Sequence, residues 1–321
     1  MRILKRSVMI LSFAVASIGL FAQTVEEAGA KYNEGVEQMK AKDYSNAVTT
    51  LEQALKLANG AGADADDLKG NIQKQLENAY YRNGISKYKA KKYEASIAEF
   101  EKSYAIATEL GNTEMQNKLT VIMAKVLSGK GMSLIKKGDL DGAYAVFDEA
   151  HEVKSSCVIS YYGKGLVWKE RGDMGQMMTN MDKAIEIGAT EPKMAKYVAK
   201  AKKAASKGLI AEATEEITKE HGKVAAEYIN DSFKYAAGTA DTYYYLTIAY
   251  NKSSQFSKAV DVANKSIGMK EGDKSDVYFE LGQALEGKGD AAGACNAYKK
   301  VSSGPNVDAA KYQMKEKLKC S

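Results

Sequence analysis

GMSLIKKGDLDGAYAVFDEAHEV (131–153) and GLVWKERGDMGQMMTNMDKAIEI (165–187) are two versions of one pattern. Gly131 and Gly165 stand 34 residues apart, as do Gly138 and Gly172, Ala143 and Met177, Phe147 and Met181, and Ala150 and Ala184. A fixed period between 20 and 50 residues marks a repeat array, and a period of 34 with this pattern marks paired helices.

The unit can be read from its residues. Gly131 and Gly165 fall inside a helical pattern, where glycine costs roughly 1 kcal/mol against alanine. A glycine recurring at that place points to a close helix–helix approach that offsets the cost. Gly138-Asp139 and Gly172-Asp173 are the turn. Glycine takes the left-handed position that ends one helix, and aspartate caps the next. Ala143, Phe147 and Ala150 then follow at i, i+4 and i+7, on one helix face. Small, large, small on that face lets two helices pack around one bulky knob.

Working outward, two further units precede this pair. YNEGVEQMKAKDYSNAVTTLEQAL (32–55) has Gly35 inside its first helix and Ala47, Leu51 and Ala54 in its second. YYRNGISKYKAKKYEASIAEFEKSY (80–104) has Gly84, then Ser96, Phe100 and Ser103. Here serine replaces alanine, which predicts a looser version of the pattern, as does Ser266 further on. LANGAGADADD (57–67) reads as a connecting loop, with glycines to break and aspartates to cap. After Ile187 the pattern lapses, and residues 193–238 read as a degenerate unit with an insertion. Two clear units follow. VDAAKYQMKEKLK (307–319) reads as a single, Lys- and Glu-rich capping helix. The predicted fold is all-α, about six helix pairs in file with that C-terminal cap. The units are 28–57, 77–110, 124–154, 158–188, 193–238, 240–269 and 275–303, within one domain spanning 23–321.

The glycine, the turn and the small–large–small face resemble the tetratricopeptide repeat (TPR) family. That resemblance implies a right-handed α-solenoid whose first helices line a concave, partner-binding face. Three residues before the recurring glycine, the residues expected to face that groove include Tyr32, Tyr81, Tyr162, Tyr244 and Phe279. Beside them come Val36, Ile85, Leu166 and Ile248, and one turn on, Met39 and Tyr88. Exposed tyrosine is a frequent binding anchor. The competing reading is that these aromatics pack repeat against repeat, and sequence alone leaves both open. Some TPR proteins hold a C-terminal carboxylate with Lys and Asn on successive first helices. Here Tyr and Val or Ile occupy those places in the first two units, so that clamp is not expected.

Residues 1–22 read as a secretion signal: Arg2, Lys5 and Arg6, an apolar run to Phe21, and Ala22 before the cut. An exported chain, periplasmic or extracellular, is therefore expected, with no stable membrane insertion once the signal is removed. The formal charge of +5 then falls to about +2. Lys and Glu are interspersed, and no dense basic stripe argues for nucleic acid. Cys295 opens the last second helix and Cys320 ends a cap expected to run antiparallel across it, so the two are a disulfide candidate, with two free thiols as the alternative. His151 and His221 are isolated; His151 ends a second helix, where an imidazolium would suit the dipole. No nucleophile elbow, phosphate loop or metal motif is present, so neither catalysis, cofactor nor metal is expected. The expected role is a non-enzymatic module of the bacterial envelope that binds a protein or peptide in the groove. A permanent scaffold subunit of an envelope complex is the alternative.

Overall fold

The computed structural model describes residues 25–320, and the expected signal at 1–22 lies outside them. Among the described residues the chain is all-α, with fifteen α-helices. Four of the seven pairs close on a glycine of the first helix and a bulky residue sixteen positions later on the second. A Cβ on Gly35 would strike Leu51, one on Gly84 would strike Phe100, one on Gly131 Phe147, and one on Gly282 Tyr298. All four knobs are fully buried.

The first pair is α1 (Val25–Lys40) and α2 (Tyr44–Gly60), the second α3 (Asp66–Lys89) and α4 (Tyr93–Glu109). The third is α5 (Thr113–Lys136) and α6 (Leu140–Val153), followed by α7 (Val158–Glu170) and α8 (Met174–Ala189). Then come α9 (Ala195–Thr218) with α10 (Gly222–Ser232), α11 (Ala240–Lys252) with α12 (Phe256–Met269), and α13 (Ser275–Lys288) with α14 (Ala291–Tyr298). Within each unit the main contacts run from one helix to the next, or from one first helix to the next first helix, as in α1 to α3, α9 to α11 and α11 to α13. This serial order is that of an α-solenoid, in which neighbours bury what a lone hairpin would expose. Where the sequence reads as one domain, the described residues divide into two compact units, passing from one to the other between Val167 and Trp168.

The expected loop at 57–67 is mostly helix. α2 runs through Gly60, a 3-10 turn spans Gly62–Ala65, and α3 starts at Asp66. Only Gly62 among these residues takes a left-handed conformation, φ 75°. The glycines and aspartates thus mark a sharp corner rather than an open loop. The residues beyond a 34-residue period go into long first helices: α3, α5 and α9 have 24 residues each.

The serine substitutions tighten the pattern rather than loosen it. Ser96 Oγ donates to Gly84 O (2.8 Å) and Ser103 Oγ to Glu77 O (2.9 Å), both from fully buried positions. Ser266 Oγ donates likewise to Ala240 O across its own pair, 2.8 Å. Each hydroxyl finds a carbonyl of the facing helix, so its burial is compensated.

The C-terminal cap also differs from a single helix. α15 (Val307–Tyr312) is α-helical, and Gln313–Lys317 widens into a π turn. Leu318 N bonds Gln313 O and Cys320 N bonds Met314 O, both at 2.9 Å. Met314 and Leu318 meanwhile pack on the buried Phe279, Tyr298 and Val301. Holding both contacts while bringing the chain to Cys295 favours the wider turn. Cys295 and Cys320 are joined, with S–S 1.91 Å and Cα–Cα 5.8 Å. Cys157 is free and buried.

Candidate functional site

The apolar first-helix residues singled out in the sequence do not form one open surface. Tyr162 and Phe279 are enclosed, each 8% exposed, and Phe279 sits in the core under the cap. For these two the expectation of a groove position is corrected: the packing reading holds. The rest are half-buried. Tyr32 and Met39 lie against Val48, Leu51 and Leu76. Tyr81, Ile85 and Tyr88 lie against Phe100 and its neighbours, and Tyr244 against Ala263 and Val277. Val36, Leu166 and Ile248 keep an intermediate exposure. Tyr81 also receives Lys118 Nζ over its ring, 4.1 Å from the centroid.

A lined hollow lies elsewhere in the first unit. α2 and α4, both second helices, pack on either side of the long α3 and leave a cavity of about 630 Å³ between them. Its apolar surface comes from Leu55 of α2, Leu76 and Tyr80 of α3, and Ala98, Ala105 and Ile106 of α4. None of the eleven first-helix positions above contributes to it. Tyr80 and Tyr81 are adjacent in the chain. Tyr80 is the buried one, 5% exposed. The missed signal was the 49-residue step from Gly35 to Gly84: lengthening α3 supplies the floor.

A polar lip holds the hollow in shape. Tyr80 OH donates to Glu52 of α2. Lys102 of α4 reaches Glu52 at 3.5 Å and lies 5.0 Å from the Tyr80 ring centroid. Gln73 Nε2 donates to Glu109 Oε2 at 3.2 Å, joining α3 to α4 at the same cavity. Burial and the Glu52 carboxylate push the Tyr80 hydroxyl far up, so it stays protonated as a donor. Glu101 is the exception at this lip. Burial raises its carboxyl above the ordinary range, and no described cation pairs with it. A half-buried, unpaired carboxylate beside an apolar floor favours a ligand that brings a positive charge.

No comparable chemistry appears around the histidines. His151 Nε2 lies 3.2 Å from Tyr161 OH. Burial, then the nearby Lys164 ammonium, holds its imidazole below the usual range, with Asp148 acting weakly the other way. The sequence expectation of an imidazolium at that helix end is therefore corrected; desolvation outweighs the dipole. Among the described residues no group of three His, Cys, Asp or Glu side chains could hold a metal. No described helix is long and apolar enough to cross a membrane.

Serial hairpins, each packed on its neighbours in sequence, are the arrangement of a helical-repeat protein. Residues 28–60 match the tetratricopeptide repeat family, and the same closure recurs in the later pairs. Residues 28–60 thus carry a tetratricopeptide repeat. Proteins of this family are generally non-enzymatic protein–protein interaction modules. No curated protein matches the sequence. Among solved structures the chain is similar to a tetratricopeptide repeat protein from Parabacteroides merdae ATCC 43184, at 14% identity, covering 92% of this chain and 100% of that one, TM-score 0.31. It is also similar to the TPR domain of P58(IPK), at 12% identity over 91% of this chain and 97% of that one, TM-score 0.34. A third is YrrB, described as a TPR protein with an unusual peptide-binding site, at 16% identity over 60% of this chain and 92% of that one, TM-score 0.38.

Proposed function

We propose that this protein is an exported interaction module of the cell envelope that takes an apolar peptide segment of a partner protein in the hollow between α2, α3 and α4. The observation that carries the reading is the hollow itself: a lined cavity of about 630 Å³ with an apolar floor and one unpaired carboxylate, Glu101, at its lip. Pockets of that size and lining are where binding energy concentrates. Leu55 and Ile106 would pack on the apolar residues of the segment, and Glu101 would receive a lysine or arginine flanking them. Export rests on the basic and apolar run at 1–22.

Photo-crosslinking residues placed at Leu55 or Ala105, and separately at Val36 or Ile248, test this in intact cells. The expected result is a discrete adduct from the hollow positions, abolished by Ile106→Asp, with little from the first-helix positions. Adducts from Val36 and Ile248 alone would return the binding face to the first helices. Fractionation of the same cells tests export: a chain found only in the cytoplasm, with residues 1–22 retained, overturns that part.

A further inference from the structure

The even spread of charge read from the sequence fails at α9. Residues 193–210 contain six lysines and no acidic residue. That span carries +6 against +5 for the whole chain, so everything else sums to −1. Lys196, Lys200, Lys203 and Lys207 follow at i, i+4, i+7 and i+11, which places them on one stripe of the helix, about 16 Å long. The stripe stands opposite the buried Ala201, Ala205 and Leu209, and all four lysines are exposed.

Elsewhere lysines on these helices find a glutamate three residues away, as in Lys31–Glu34, Lys40–Glu37, Lys183–Glu186 and Lys219–Glu216. The α9 stripe has no such partner within the described residues; its one recorded contact is Lys200 Nζ, 5.4 Å from the Tyr197 ring centroid. Four like charges in a row repel one another and lower helix stability, so the arrangement works against the fold it sits in.

We infer that the α9 stripe docks on the phosphate-bearing surface of an anionic membrane. Lysines are point charges on flexible stems and suit a laterally mobile layer of headgroups. Clusters of four to eight such residues on one helix face are the usual size for anionic-lipid attraction. Alanine and serine between them keep the face low. Nucleic acid fits less well. The span has no arginine fork for bases and no Asn or Gln to read them, and Tyr197 is its single aromatic residue. The contact is peripheral and independent of the hollow between α2, α3 and α4.

Vesicle co-sedimentation tests it with the chain from Gln23 onward, which contains every described helix, so that the apolar 1–22 segment plays no part. The vesicles are phosphatidylcholine alone, or phosphatidylcholine with an equal part of phosphatidylglycerol. Binding is expected only with phosphatidylglycerol and should fall as salt rises. The Lys196→Gln, Lys200→Gln, Lys203→Gln, Lys207→Gln variant should keep its helical circular dichroism and lose binding by a factor on the order of 100 to 1,000, from about 1 kcal/mol per lysine. A control with Lys31, Lys40, Lys183 and Lys219 changed to Gln should lose far less. Equal binding to phosphatidylcholine alone, unchanged binding by the α9 variant, or an equal loss in the control overturns the inference. So does an absence of vesicle binding with capture of duplex DNA or polyglutamate instead.

Discussion

The turn from α5 to α6 and the turn from α3 to α4 have the same backbone built from opposite residues. In the first, Gly138 takes φ 81° and Asp139 accepts a hydrogen bond from Gly142 N at 2.9 Å. In the second, Lys91 is forced to φ 58° and Lys92 offers no side-chain cap. Glu220 and Ser254 repeat the second solution at φ 63° and 57°, and Lys42 is left-handed at φ 63° before a capping Asp43. Side chains dislike the left-handed region by roughly 1–2 kcal/mol. That four of these turns nonetheless adopt it shows where the geometry is decided: in the knob over its glycine, with the turn following.

The largest effects should therefore fall on the knobs, whatever the turn. Phe100→Ala and Phe147→Ala are each expected to cost about 3–5 kcal/mol in urea unfolding. If Phe147→Ala costs far more than Phe100→Ala, the glycine–aspartate turn contributes what is assigned here to the knob. The last pair has every local signal: Gly282 under Tyr298, Gly289 at φ 85° and Asp290 as cap. Among the described residues it is followed by the cap, which the disulfide holds in place. Cys320→Ser is expected to lower the stability of the second unit by roughly 3 kcal/mol. A loss close to zero would mean that packing of Met314 and Leu318 suffices.

Smaller changes should make the two turns alike. Asp139→Ala is expected to cost about 1 kcal/mol, and Lys92→Asp to add a similar amount by supplying the missing cap. Lys91→Gly should stabilise by about 0.5–1 kcal/mol, the relief of left-handed strain less the added freedom of the unfolded chain. A destabilised Lys91→Gly would place the lysine side chain itself in the fold. The smallest effect concerns pH. Because burial raises the Glu101 carboxyl in the folded chain, its contribution is present below the ordinary carboxylate range and is lost as pH rises through the raised value. Glu101→Gln should flatten the stability profile between pH 4 and 7, and a steeper profile would contradict the assignment.

Much of the fold was legible because glycine and its knob are an unusual pair at a fixed distance. Gly131 with Phe147 announces a hairpin without reference to anything else in the chain. The paired cysteines were legible because a cap returning across the last pair brings its end to Cys295, although Cys320 itself lies past the last helical turn. The hollow was not, because it depends on how far α2 and α4 stand apart across α3, and no residue spells out that separation. Nor did the left-handed Lys42 and Lys91 show themselves, since the force that holds them there lies a helix away. His151 was misjudged because a dipole argument is local, whereas burial in the folded chain and the Lys164 ammonium act from other helices.

In the four hairpins closed this way the knob and its glycine stand sixteen residues apart, while successive recurring glycines Gly35, Gly84, Gly131 and Gly165 are separated by 49, 47 and 34. Each of these four hairpins therefore carries its own closing instruction and leaves the interval to its neighbour unconstrained. Gene duplication, or a designer's splice, can change that interval without rewriting a single buried contact inside the hairpin. The cradle on α2, α3 and α4 is what such slack produces when a first helix grows.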